Sequence, residues 1–79
     1  MSPTSGRDGP FRLFFFSREE KRIHVHVAHP DGEAKFWLHP RVELAVNIGL
    51  TSAQLRQALV VVEAHFREIE DAWRRHFGS

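Results

Sequence analysis

Seventy-nine residues, 42% of them hydrophobic and 27% charged, make one domain in which every large apolar side chain matters to the core. A net charge of +1 with neutral histidines gives no basic field for nucleic acid, although protonating all six imidazoles would add six positive charges. Cysteine is absent, which excludes disulfides and thiolate metal sites, and no apolar run approaches the ~20 residues that span a bilayer.

Residues 1–10 are rich in Ser, Gly and Pro with little to bury, and read as a mobile tail before a single domain at 11–79. They lack the apolar segment of a secretion signal, so a cytoplasmic address is expected. The aromatic run Phe11-Arg12-Leu13-Phe14-Phe15-Phe16 predicts a strand over 11–16. Being apolar at both parities, it needs cover on both faces. Ser17 to Arg22 is a charged connection.

Strands at 23–28 and 34–38 follow, joined through Pro30-Asp31-Gly32, where Asp-Gly signals a hairpin tip. A short fourth strand at 42–47 is the optional last member of the sheet. With Asp31 and Gly32 at the tip, His24 faces His39, His26 faces Trp37, and Ala28 faces Lys35. Thr51 and Gln54 form a capping box that opens one long helix over 52–77, with Gly78 as its stop. Leu55, Leu59, Val62, Phe66, Ile69, Trp73 and Phe77 advance in steps of three and four along one face of that helix. The predicted fold is therefore α+β: a three- or four-stranded antiparallel meander with one C-terminal helix across one face. A straight helix of that length is about 39 Å long and overhangs strands of about 20 Å. The surplus, carrying Phe66, Trp73 and Phe77, should meet strand 1, a second copy or a cognate protein.

Four of the six histidines, His24, His26, His29 and His39, lie between positions 24 and 39. Alternation puts Ile23, Val25 and Val27 on one face and His24 and His26 on the other, beside Trp37, Lys35 and His39. Imidazole ligates metals and moves protons near neutral pH. Three uses suit this face. His24, His26 and His39 are weak candidates for a three-nitrogen metal site, without a placed carboxylate as fourth ligand; no cofactor is predicted. His24 and His26 could serve as base and acid in metal-independent RNA cleavage, with Lys35 or Arg22 stabilising the phosphorane and Trp37 stacking a base. Arg22, Trp37 and His39, with Phe66, Trp73 and Phe77, could instead form a surface that grips a protein or RNA strand.

Three separated segments, Phe11-Arg12-Leu13-Phe14-Phe15-Phe16-Ser17, His24-Val25-His26-Val27 and Gly32-Glu33-Ala34-Lys35-Phe36-Trp37-Leu38, precede a long helix carrying Leu55 and Trp73. In that order they resemble the prokaryotic family catalogued as domain of unknown function 4160. The resemblance covers residues 11–77 and implies a small single domain encoded beside another small protein, as in toxin–antitoxin pairs. It carries no catalytic residue over. A fainter similarity runs to HicA-type mRNA interferases, through His24 or His26, His29-Pro30-Asp31-Gly32, His39-Pro40 and Leu55-Arg56-Gln57-Ala58-Leu59. The Gly-Ser before the histidine and the N-terminal helix of that family are missing here. The reading adopted is an interaction module of a toxin–antitoxin-like pair, binding a cognate small protein or a second copy. A ribonuclease and a histidine-rich metal-binding module are the alternatives.

Overall fold

Period-two alternation and the aromatic run build a sheet, as predicted, and a fifth strand joins it. The computed structural model describes residues 4–15 and 22–77. Its strands are β1 (Thr4–Asp8), β2 (Phe11–Phe14), β3 (His24–His29), β4 (Gly32–Trp37) and β5 (Glu43–Ile48). All neighbours are antiparallel, in the order β1-β2-β3-β4-β5, a simple meander. The expected tail is thus a strand over Thr4–Asp8, folded onto β2 through a turn in which Gly9 adopts a φ of 58°. Backbone pairing with β2 holds this segment, which composition alone could not reveal. Phe16, the connection at 17–21 and Gly78 lie outside the described residues.

The β3–β4 hairpin turns one residue before the predicted tip, which shifts the cross-strand pairing by two. His29 pairs with Gly32, so Pro30 and Asp31 make the turn, and His24 lies opposite Trp37, not His39. Proline presets the backbone for the first corner of such a turn. The Asp31 N–H donates to His29 Nδ1 at 3.0 Å, which secures the second. Gly32 is needed inside the strand instead: a Cβ there would run into the carbonyl oxygen of Ile48. Because the discrepancy in pairing is even, every side chain keeps its predicted face.

Val25, Val27, Leu13 and Phe36 form a core with Ala58, Val61, Val62 and Ile69, so the helical layer covers one face of the sheet. The helix opens as predicted. Gln54 N–H donates to Thr51 Oγ1 at 3.2 Å, and Thr51 N–H donates to Gln54 Oε1 at 2.8 Å. Gln54 Nε2 also donates to Asp31 Oδ2 at 2.8 Å, tying the helix start to the hairpin turn.

The single long helix is corrected to two, α1 (Ser52–Ala64) and α2 (Phe66–Phe77), with a bend at His65. A straight helix of about 39 Å would exceed the molecule's largest extent, 34 Å. Bending returns the apolar end of the stripe to its own fold: Ile69 and Trp73 are buried. The predicted overhang, and the need for an outside surface to cover it, therefore vanish. His65 anchors the bend through Nε2 to Asp8 Oδ2 at 3.1 Å and Nδ1 to Glu68 Oε2 at 3.4 Å. Carboxylates only accept, so both bonds require the imidazolium, with a proton on each nitrogen. The hydrogen bond to Asp8, first, then that to Glu68 and their charges, hold the His65 pKa above the ordinary 6.5, against the opposing effect of burial.

Two expectations follow. Gly32→Ala should lower stability by about 1–3 kcal/mol through overpacking against β5, read from the urea midpoint. A raised histidine pKa gives stability that is fully present below pH 6.5 and is lost as pH rises through the folded value. The urea midpoint should therefore fall from mildly acid to mildly alkaline pH, and Asp8→Asn should flatten that slope.

Candidate functional site: the histidine face of the sheet

Alternation along β3 sends His24 and His26 to the face opposite Val25 and Val27, as predicted, yet that face is not open at its centre. His24 has 0% and His26 8% of its surface exposed. The His24 ring lies edge-on to Trp37 at 5.7 Å, to Trp73 of α2 at 5.0 Å and to His26 at 5.3 Å. His26 stacks on Phe14 at 5.3 Å, and its Nδ1 is 3.5 Å from Glu33 Oε2. These rings belong to an aromatic cluster continued by Phe15, which meets Trp73 at 5.3 Å and Phe77 at 5.8 Å.

His24 Nδ1 lies 2.7 Å from the carbonyl oxygen of Arg22. A carbonyl only accepts, so Nδ1 carries the proton and donates, which fixes the tautomer. The bond holds Arg22 at the entrance to β3. From there its Nε and Nη2 donate to the His39 carbonyl at 3.2 and 3.1 Å. The guanidinium lies 4.3 Å from the Trp37 ring centroid, and the Lys35 ammonium lies 4.5 Å from the same centroid. Lys35 reaches it from two residues away on one strand face, and it pairs across the ladder with His26. Two cations against one half-buried indole thus form the accessible part of this face.

The structure brings His24, His26, Lys35, Trp37, Arg22 and Trp73 together, with Phe77 beyond Phe15. It leaves His39 apart. Displaced beyond the end of β4, His39 is exposed, its Nε2 is 2.9 Å from Glu70 Oε2, and its ring lies 6.1 Å from Phe66. The pair His24 and His39, expected to share a site, is separated because Trp37 takes the place opposite His24. Among the described residues no three His, Asp or Glu side chains gather to hold a metal ion. Trp73, expected on a binding surface, is instead core.

Sequence reasoning missed Phe14, Phe15, Glu33 and Glu70. The first two had a legible signal, since an aromatic run apolar at both parities must cover both faces. Glu70 had none, because its meeting with His39 depends on the bend at His65.

Residues 11–74 match the family model described as "Domain of unknown function (DUF4160)". The chain belongs to this family. The match spans β2 to α2, so the DUF4160 region contains both the imidazole cluster and the cation–indole surface. No curated protein and no solved structure matches the chain. No helix among the described residues is long and apolar enough to cross a membrane.

The geometry sets an expectation for the two kinds of histidine in this DUF4160 chain. His24→Ala removes a fully buried ring and should cost about 2–4 kcal/mol of stability by chemical denaturation, whereas exposed His39→Ala should cost less than about 1 kcal/mol.

Proposed function

We propose that this DUF4160 chain is a protein-interaction module, one member of a toxin–antitoxin-like pair, which holds an acidic cognate protein through Arg22, Lys35 and Trp37. The observation carrying this reading is the half-buried indole of Trp37 with two cations within 4.5 Å of its centroid. Tryptophan and arginine dominate the energetics of protein interfaces because they combine large apolar area with directed polar groups. Here the arginine is already oriented by two bonds to the His39 carbonyl, so less side-chain freedom is lost on binding. Cations beside the ring favour a carboxylate-bearing partner and speed its encounter.

The burial that supports this reading weakens the hydrolytic one. A general base must come within hydrogen-bond reach of the proton it takes. A ring with no exposed surface, such as His24, does not reach a ribose hydroxyl unless the aromatic cluster opens. Its imidazole orients Arg22 instead, as a positioning group for the surface.

The test is calorimetric titration of the purified chain with the product of the adjacent reading frame, alongside a short single-stranded RNA. The protein should bind, and Trp37→Ala or Arg22→Ala should weaken it roughly 10- to 100-fold, with affinity falling as salt rises. Binding of RNA alone, or protein binding indifferent to both substitutions, would overturn the assignment.

A further inference from the structure

Between the β1–β2 turn and α1 runs a groove of about 410 Å³, within the range of small-molecule sites. Asp8, Pro10 and Phe11 line it from the sheet, and Gln57, Val60 and Val61 line it from the helix. The three helical residues are neighbours on one face, being three and four positions apart. Val60 is 64% exposed, more than any other large hydrophobic side chain among the described residues. One turn beyond Val61 on the same helix comes His65, which is bonded to Asp8. The walls are therefore mainly apolar, but the sheet side carries a carboxylate. Two carboxylates, Asp8 and Glu68, flank the single imidazole of His65. Their sum is one negative charge when that ring is protonated and two when it is neutral.

We propose that this groove binds a small linear aliphatic amine, its alkyl chain against Val60, Val61 and Phe11 and its ammonium against Asp8. The apolar walls take up methylene groups whatever head group they carry. Charge selects the head group, because a cleft with a negative rim concentrates cations and repels a carboxylate. Asp8 has room for the bond: a carboxylate accepts about four hydrogen bonds, and His65 takes one at Oδ2. An ammonium brings three donors on a compact charge, and the Gln57 amide oxygen supplies a further acceptor in the same groove. The site lies on the helix side of the sheet, away from Arg22, Lys35 and Trp37, so it is separate from the surface assigned to the protein partner.

The experiment is an NMR titration of the full chain near neutral pH with hexylammonium, hexanol and hexanoate. Hexylammonium should shift the amide signals of Gln57, Val60 and Val61 saturably, with a Kd on the order of 1–10 mM. It should bind about three- to fivefold tighter than hexanol, and hexanoate should bind more weakly than either. Butylammonium, two methylenes shorter, should bind roughly four- to fifteenfold more weakly than hexylammonium. Asp8→Asn should bring hexylammonium down to the level of hexanol and leave hexanol unchanged, a change of selectivity that a general loosening of the fold would not give. Val60→Lys should weaken amine binding at least about tenfold, whereas Val46→Lys, on a distant strand, should not. Equal binding of the three head groups, shifts centred outside residues 57–61, or an amine preference retained in Asp8→Asn would overturn the proposal. So would the absence of a saturable shift up to about 50 mM. The head-group series on the unmodified chain decides even if a variant fails to fold.

Discussion

The contact of Trp73 with Phe15 and His24 is the constraint around which the rest of this small fold is arranged. An indole buries about 200 Å² and is among the largest single contributors to a core. Reaching this position requires the helical segment to turn at His65, since a straight continuation would carry Trp73 out of the molecule. The bend then places Ile69 in the main core and brings Glu70 to His39. One aromatic contact thus explains the two-helix layout, the covered imidazole of His24 and the meeting of Glu70 with His39.

Burial of His24 changes what the histidine-rich hairpin means. Residues that read as a shared reactive patch divide into three roles. His24 is a packed ring whose proton fixes the strand entrance, His29 closes a turn, and His39 is hydrogen-bonded to Glu70 at the sheet end. Chemistry near neutral pH shifts instead to His65, a residue given no special role by its place on a helix. Its two carboxylate neighbours come from different elements, Asp8 on β1 and Glu68 on α2, so protonation there joins the first strand to the second helix.

Much of this architecture was legible in the chain. Alternation along Ile23 to Ala28 gave the correct face to each side chain, and Thr51 with Gln54 marked the start of the helix. The tip of the hairpin was misplaced by one residue because Asp-Gly is a turn signal locally, while the need for Gly32 arises from the distant carbonyl of Ile48. The bend at His65 was hidden for a similar reason. Steps of three and four along the apolar stripe continue through it, and only the size of the sheet beneath forbids a straight rod. Strand β1 was unreadable because backbone pairing with β2 defines it, and that leaves no mark in composition. The last strand was legible as an element, but the bulge between Lys35 and Phe36 that turns Leu44 to the face opposite Val46 was not, because it interrupts the period of two.

The two tryptophans stand in contrasting surroundings. Trp73 is sealed beside an imidazole and a phenyl ring, while Trp37 is half-exposed with a guanidinium and an ammonium at its face. Each indole is therefore an intrinsic optical reporter for a different event. Emission from Trp73 follows the seating of the second helix, and emission from Trp37 follows occupation of the outer surface. The molecule can be watched at both places without any added dye.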